Sequence, residues 1–228
     1  MAENAVIFLS IDDHECHNLK LILDEVFGDA NFVTQLVWQR AYAAKNDAKT
    51  VPVSHDYVLM YAKNKTCWEE ATQPNLGRQL LRRTLVGDSQ EGTQELKRLL
   101  QKGVFDGPKP VRLIKYLLEL AGAPKNGIVL DFFAGSATTG QAVLELNAAD
   151  GGSRSFILVQ APEPCAAKSP ACQAGFSDIA QIGLERLNAV SAQLRASSGF
   201  PSSTALLVNK FNHNKDAVGG GYRSKYIR

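Results

Sequence analysis

Short apolar segments alternate along the chain with longer segments in which apolar residues recur every three or four positions. The first apolar run, at residues 5–11, is continuous and is typical of a strand covered on both faces. A helical spacing follows, with Leu19, Leu23 and Phe27 on one face until Gly28 ends the pattern. The two periods therefore predict a strand followed by a helix at the start of the chain.

The same alternation continues to about residue 194. Further strands are predicted at residues 32–38, 57–61, 128–131 and 156–159, and further helices at 80–100, 110–120, 138–146 and 179–194. The 80–100 helix is expected to break near Gly87 and Gly92. Strands that alternate with helices predict an α/β fold with a doubly wound, mostly parallel sheet.

The chain of 228 residues is long enough to bury one substantial core, and we predict one domain over residues 1–196. Ser, Gly and Pro become more frequent after Ser197, which predicts a C-terminal tail at residues 197–228. Residues 209–228 carry five Lys or Arg against one acid, a balance that suits phosphate contact. A solvated, disordered terminus also explains this excess of basic residues, and we favour that interpretation.

Composition narrows the class of protein. Apolar residues make up 45% and charged residues 21%, and the net charge of +2 is too small to argue for nucleic acid by itself. The four cysteines form no CxxC pair, which favours reduced thiols over a disulfide framework or a zinc finger. No apolar stretch is long enough to span a bilayer and no signal-peptide pattern opens the chain, so we expect a cytoplasmic protein with no membrane partner.

Residues 128–140, with the sequence IVLDFFAGSATTG, are the most informative segment. An apolar strand ends in Asp131, small residues including Gly135 follow, and a helix is expected to begin near Thr138. The first turn of a helix presents free N–H groups and partial positive charge, which favour a ligand carboxylate. Asp131 offers an acceptor to a ligand amine, so the segment predicts a ligand site at the carboxyl edge of the sheet.

The segment alone leaves two alternatives open. A helix that follows a strand with a Ser or Thr cap needs no ligand. The spacing Gly135-x-Ala137-x-x-Gly140 also loosely imitates a dinucleotide fingerprint, although the next strand ends in Gln160 where that fingerprint wants an acid. A P-loop is excluded because no Gly-Lys-Ser/Thr follows.

Several separated segments, in this order, resemble the beta-group amino DNA methyltransferases, closest to the adenine-modifying subunits of type III restriction-modification systems. They are residues 8–13, 31–38, 46–49, 55–64, 90–97, 105–110, 113–115, 128–140, 156–160 and 174–176. The likeness covers about residues 5–190. It implies a fold of the S-adenosylmethionine-dependent methyltransferase type, methyl transfer to N6 of adenine, and DNA as the partner.

The resemblance also implies the residues of a cofactor site. They are Phe105, Lys109, Asp131, Phe133, Gly135, Ser136, Ala137, Thr138 and Gln160. S-adenosylmethionine is the implied cofactor, with the Asp131 loop around its methionine part and Gln160 at its ribose. Family members more usually have glycine at the position of Ala137, so its methyl group is expected to crowd the cofactor.

One family element is missing from the sequence. No Asp-Pro-Pro-Tyr quartet, the family's catalytic loop, occurs in it, so no residue is named as catalytic and the chain alone is expected to be inactive. By resemblance, the fold is incomplete at its N-terminal side, where a strand between 128–131 and 5–11 would be absent. Three outcomes follow: the two edges close on each other, another chain supplies the strand, or the isolated chain folds poorly. We favour a truncated or split protein that acts with a complementing subunit or as a homodimer; the alternative is a non-enzymatic assembly module or remnant.

Two smaller features complete the predictions. Residues 65–104 are short where relatives carry a target-recognition segment, and the arginines there, Arg78, Arg82 and Arg83, are expected to form a solvated face more than a phosphate contact. His14 and His17 have a spacing that suits a metal, but the family is not metal-dependent. We therefore predict no metal site, with Asp13 capping the helix.

Overall fold

The computed structural model describes residues 1–41, 53–72, 79–100, 103–198, 207–211 and 224–225. The chain divides into two compact units. The first unit combines Met1–Ser89 with Tyr116–Ala123, and the second combines Gln90–Lys115 with Pro124–Arg228. A four-stranded sheet occurs in each unit.

The first unit holds four strands and three helices among its described residues. They are β1 (Val6–Ile11), α1 (Cys16–Phe27), β2 (Phe32–Gln39), β3 (His55–Ala62), α2 (Lys65–Thr72), β4 (Leu80–Leu81) and α3 (Arg83–Val86), with a single 3-10 turn at Asp29–Asn31. The three strands predicted for this unit are confirmed. The end of α1 is also confirmed, because Gly28 leaves the helical region with a φ of 84°.

The sheet of the first unit has the order β1-β3-β2-β4. Both β1 and β2 are antiparallel to β3, so β1 and β2 run in the same direction on either side of it, joined by the crossover helix α1. The short β4 pairs parallel with β2. Antiparallel pairs therefore dominate in this sheet, in contrast to the mostly parallel sheet that the alternation of strands and helices predicts.

Helix α1 packs against β3 in the first unit. The buried core of this contact contains Leu23, Leu59 and Tyr61. The Tyr61 hydroxyl donates to Asp24 at 2.6 Å, and the Lys20 ammonium group donates to the same carboxylate at 2.9 Å. These two hydrogen bonds favour the charged form and hold the pKa of Asp24 below its usual range.

The segment predicted as a broken helix at 80–100 divides into β4, α3 and α4 (Ser89–Leu100). The break at Gly87 is confirmed, and this glycine has a φ of 80°. The break at Gly92 is wrong, because Gly92 lies buried inside α4. A Cβ built at Gly92 would lie only 2.1 Å from the carbonyl oxygen of Pro108, so glycine is required here by a close backbone contact and not by a turn.

The second unit is built from α4, most of which belongs to it, and from the elements that follow. They are α5 (Val111–Leu120), whose last residues belong to the first unit, β5 (Ile128–Asp131), α6 (Thr138–Asp150), β6 (Ser155–Val159), α7 (Pro170–Gln173), α8 (Ile179–Ser198), β7 (Leu207–Phe211) and β8 (Ser224–Lys225). The predicted strands at 128–131 and 156–159 and the predicted helices from residue 110 onward are confirmed.

The sheet of the second unit has the order β5-β6-β7-β8, and its first three strands are parallel as the α/β pattern predicts. Helices α6 and α8 approach closely at Gly140, where a Cβ would lie 2.7 Å from Leu187 Cδ2. Two strands, β7 and β8, fall within the predicted tail and contain two of its five basic residues, Lys210 and Lys225. The other three, Lys215, Arg223 and Arg228, lie outside the described residues.

Two strands end the sheets. Among the described residues, β1 pairs with β3 alone in the first unit, and β5 pairs with β6 alone in the second unit. One face of β5 is apolar and exposed, with Ile128 at 72% and Leu130 at 56% exposure. None of the described helices is both long and apolar enough to cross a membrane.

Candidate ligand site at the β5–α6 loop

The β5–α6 loop, residues 132–137, connects the end of β5 to the start of α6. Its first anchor is Asp131, the last residue of β5. One carboxylate oxygen accepts the N–H of Phe133 at 3.1 Å, and the other accepts the hydroxyl of Thr139 at 2.6 Å. The side chain predicted to meet a ligand amine therefore also ties the strand end to the first turn of the helix.

The loop turns through two residues with positive φ. Gly135 has a φ of 52° and Ala137 a φ of 63°, and Ala137 is the one non-glycine residue with positive φ in the described part of the chain. The left-handed region disfavours any residue with a Cβ, which gives a physical reason why glycine suits this position. Ala137 is only 3% exposed, and its methyl group lies close to Gly183 of α8.

Helix α6 begins without a side-chain cap. Its N-cap residue is Ala137, whose side chain caps none of the N–H groups of the first turn. The N–H groups of that turn, which start at Thr138, have no partner within the helix. They carry the partial positive charge of the helix N-terminus toward the loop, which is where an anionic group is stabilised.

Gln160, at the end of β6, contacts the loop directly. Its side-chain oxygen accepts the N–H of Gly135 at 2.7 Å, and its side-chain nitrogen donates to the carbonyl of Ala161 at 3.1 Å. The amide predicted at a ribose thus stabilises the turn of the protein itself.

The segment that carries Phe105 and Lys109 lies beside the loop. The Cζ atom of Phe105 is 3.4 Å from the position that a Cβ on Gly135 would occupy. The backbone of Lys109 lies against Gly92 of α4, so the missing side chain at Gly92 allows this segment to approach. The fold therefore brings together the two segments that the resemblance assigns to one site.

The aromatic side chains of the loop are exposed. Phe133 has 85% of its surface accessible and Phe132 has 45%, with ring centroids 5.4 Å apart. A shallow hollow that is open to solvent adjoins the loop. It is lined by Ala134, Gly135, Ala137, Leu158, Gln160, Ala180, Gly183, Leu184 and Leu187.

The hydroxyl groups of Ser136 and Thr138 face the protein interior. Both are buried, at 3% and 6% exposure, and both accept hydrogen bonds from Nη1 of Arg186, at 3.0 and 2.7 Å. Arg186 lies on α8, is fully buried and also donates from Nε to Gln141 at 2.6 Å. The resemblance assigned both residues to the cofactor site, and sequence reasoning missed their partner Arg186.

Burial dominates the electrostatics of Arg186. Removal from water lowers its pKa to about 10, while the carboxylates of Glu95 and Glu145 oppose that change. The side chain therefore remains a cation at neutral pH. Burial also raises the pKa of Glu95, although the carboxylate accepts the N–H of Val111 at 3.0 Å.

Sequence periodicity contained a signal for Arg186. Ile182, Arg186 and Val190 are four residues apart along α8 and are all buried, at 1%, 0% and 2% exposure. A charged residue on the apolar stripe of an amphipathic helix must be paired inside the protein. Its partners, 45 to 50 residues earlier in the chain, cannot be read from that spacing.

Two other predicted features lie in the first unit. Asp12, Asp13 and His14 group their ligand atoms within 4.8 Å of one another, but they lie at the surface and His14 contacts both acids itself. Asp13 does not cap α1: the N-cap is Glu15, with no side-chain cap, because the helix starts three residues later at Cys16. This prediction was wrong.

The predicted arginine face is partly described. Arg82 is exposed, and Arg83 lies 3.7 Å from the carboxylate of Asp88, while Arg78 lies outside the described residues.

Comparison with known sequences identifies a family. A sequence model named N6_N4_Mtase, described as DNA methylase, matches residues 1–185. The Mod subunit of the type III restriction-modification enzyme StyLTI from Salmonella typhimurium is 29% identical over 286 residues, covering 87% of this chain and 44% of that protein. The type II methyltransferase M.KpnI from Klebsiella pneumoniae is 24% identical over 294 residues, covering 84% and 70%.

This chain thus spans less than half the length of the StyLTI Mod subunit. Both alignments are longer than the 228 residues of the chain, so the relatives carry residues inside the matched region that this chain lacks. That those residues fall within the predicted short segment at 65–104 stays a prediction.

Solved structures confirm the fold class. The crystal structure of M1.HpyAVI and that of its SAM complex both match with a TM-score of 0.54, at 18% and 17% identity. The match covers 82% of this chain in both cases, and 75% and 76% of the two solved chains. At this identity the likeness establishes the α/β architecture alone.

Proposed function

Because this chain belongs to the N6_N4_Mtase family of DNA methylases, we propose that it is the cofactor-binding part of a restriction-modification methyltransferase. Its cofactor is S-adenosylmethionine and its substrate is adenine N6 in DNA. The observation that supports this most directly is the β5–α6 loop, where a carboxylate, a left-handed turn and an uncapped helix start occur within residues 131–138.

The described residues fit the amino-acid end of this cofactor. Asp131 accepts two hydrogen bonds, but a carboxylate has about four lone-pair sites and retains capacity for an amine. The first turn of α6 suits the carboxylate, and the rings of Phe105 and Phe133 supply apolar contact. Ser136 and Thr138 contribute through their backbone and through the shape that Arg186 gives the loop.

When bound, S-adenosylmethionine supplies a methyl group on a sulfonium sulfur; transfer to the N6 amine leaves a thioether and releases one proton. The residues of this chain bind and orient the cofactor. Alignment of the target amine belongs to the Asp-Pro-Pro-Tyr loop, which does not occur in the sequence. We therefore assign no catalytic residue and expect no methyl transfer by the chain alone; incorporation of labelled methyl into DNA by the purified chain would refute that expectation.

Calorimetry with S-adenosylmethionine tests the cofactor proposal. The folded full chain should give saturable heat for one site, and the isosteric variant Asp131→Asn should bind more weakly because it loses the charge that pairs with the ligand amine. Asp178→Asn is a matched control, since Asp178 caps α8 from outside the loop by accepting the N–H of Gln181 at 2.9 Å. Silence from a folded wild-type chain would exclude cofactor binding.

A second candidate is a non-enzymatic module that completes a partner subunit. The exposed side chains of β5 favour it, as does the outer edge of that strand, which pairs with no other strand in the described part of the chain. Mixing the chain with a polypeptide that carries the Asp-Pro-Pro-Tyr loop separates the two candidates. Methyl transfer on mixing supports the divided enzyme, and stable association without transfer supports the module. If the two polypeptides neither associate nor transfer a methyl group, the chain is a remnant.

A further inference from the structure

The buried side chain of Arg186 on α8 forms hydrogen bonds with the end of the β5–α6 loop and the first residue of α6. We propose that Arg186 is a positioning residue that holds this loop in the conformation that binds the cofactor. The ligand itself rests on the function proposed above, whereas the conformation of the loop can be tested without any ligand. Arg186 is expected to touch the loop and not the cofactor.

The contacts of Arg186 surround the left-handed turn. Its Nη1 atom donates to the hydroxyls of Ser136 and Thr138, the residues immediately before and after Ala137, and lies 3.4 Å from the Ser136 carbonyl oxygen. The strained residue is thus held between two hydrogen-bonded neighbours. Because hydrogen bonds from a charged donor are stronger than neutral ones, they suit the task of holding a conformation that alanine disfavours.

The guanidinium group is itself held in place. Its Nε atom donates to the side-chain oxygen of Gln141, and the side-chain nitrogen of Gln141 donates to Glu145 at 2.7 Å. Glu145 in turn pairs with Lys115 at 2.6 Å. This sequence of contacts leaves Gln141 one orientation in which both of its polar atoms are paired, and so fixes the plane of the guanidinium group.

Packing alone does not explain why an arginine occupies position 186. The side chain is fully buried, and its Nη2 atom has no hydrogen-bond partner among the described residues. An apolar side chain would fill this position without the penalty of desolvating a charge. The arginine is instead placed where its donors reach the loop, which is the expectation for a residue that determines conformation.

Hydrogen exchange tests this role without ligand. In Arg186→Met, the backbone amides of residues 132–139 should exchange faster, while those of β6 and of the first two turns of α8 keep their protection. Arg186→Lys should restore part of the protection, because an ammonium group still reaches one of the two hydroxyls. Arg195→Met is the matched control on the exposed end of α8 and should change nothing in the loop.

Cofactor affinity is the second readout. Arg186→Met loses the charged hydrogen bonds to the loop, so its affinity for S-adenosylmethionine should fall on the order of tenfold. Arg186→Lys should have an intermediate affinity. If wild-type chain binds no cofactor, the proposed function fails while hydrogen exchange still decides the role of Arg186.

Two results would overturn the proposal. The first is that the amides of residues 132–139 exchange at the same rate in Arg186→Met as in wild type. The second is a uniform loss of protection throughout the second unit, which would indicate a role in folding alone. Should Arg186→Met not fold, Thr138→Val removes the nearer acceptor with little change of shape. It should accelerate exchange at the same amides, and unchanged exchange there would also reject the proposal.

Discussion

The methyl group of Ala137 packs against the backbone of Gly183. A Cβ built at Gly183 would lie 3.2 Å from the Ala137 Cβ and 3.3 Å from the carbonyl oxygen of Gly135. The alanine that was expected to crowd a cofactor therefore directs its side chain at helix α8, and the helix accommodates it with a glycine.

This contact predicts the effect of Gly183→Ala. The added methyl group must displace the loop or the helix, and overpacking of this kind costs about 1–3 kcal/mol of unfolding free energy. Urea denaturation of the variant measures it. Adding Ala137→Gly should recover part of the loss, because it removes one of the two contacts; a double variant no more stable than Gly183→Ala would contradict this interpretation.

Ala137→Gly alone should be close to neutral. Relief of the positive φ favours glycine by about 1 kcal/mol, and loss of a buried methyl group costs about 0.8 kcal/mol. The matched control is Ala142→Gly, at a fully buried position in α6, where the helix penalty and the lost methyl group add to about 2 kcal/mol. Equal destabilisation of the two variants would show that the turn at Ala137 is unstrained.

Gly92→Ala should be severely destabilising or move the segment that carries Phe105. Its Cβ would lie 2.1 Å from the Pro108 carbonyl oxygen, and its three nearest neighbours are all backbone atoms of Pro108 and Lys109, which leave little room to adjust. Gly103→Ala is the control, since nothing lies within 4 Å of a Cβ there. Thermal unfolding compares the two, and a Gly92→Ala protein as stable as the control would mean that α4 and this segment are not in contact.

Substitutions at Gln160 separate its contact with the loop from a contact with ribose. Gln160→Leu leaves the N–H of Gly135 without its acceptor and should cost about 1 kcal/mol in the absence of ligand. Gln160→Glu keeps an acceptor, and a carboxylate binds hydroxyl groups more strongly than an amide does. Calorimetry should therefore rank affinity for S-adenosylmethionine as Glu above Gln above Leu; equal affinities would remove Gln160 from the proposed site.

Glu95 predicts a pH dependence with a definite sign. Burial raises its pKa above the ordinary value of 4.5, so the folded protein binds this proton more tightly than the unfolded chain does. Stability contributed by the protonated carboxyl is present at low pH and is lost as pH rises from about the unfolded value through the raised one. Urea midpoints of wild type should fall across that range relative to Glu95→Gln, which does not titrate. A rising difference would indicate a lowered pKa of Glu95 and a constant difference an unshifted one, and either result would contradict this prediction.

The sequence predicted most elements of the fold because their signals are local. Apolar runs identified β1, β5 and β6, and Gly28 identified the end of α1. Strand direction in the first sheet could not be predicted in this way. The central strand β3 is antiparallel to both of its neighbours, and an apolar run has the same appearance whichever way its strand runs. Gly92 illustrates the opposite error: a glycine inside a helix was interpreted as a break when it serves a close contact.

The candidate site divides along the same line. Asp131, Gly135 and the start of α6 follow from one continuous segment and were predicted together. The partners of the side chains could not be, because Gln160 reaches back 25 residues to Gly135 and Arg186 reaches back 50 residues to Ser136. Such pairings depend on how α8 and β6 pack, and one-dimensional spacing does not encode them.

The outer edge of β5, beside which no described strand lies, sets practical conditions for handling this protein. Any extended polypeptide, whatever its side chains, can form backbone hydrogen bonds with this edge, and burial of the exposed apolar side chains of β5 would stabilise the complex. Self-association should therefore rise steeply with concentration during purification, so dilution and a short competing peptide deserve trial before changes of salt.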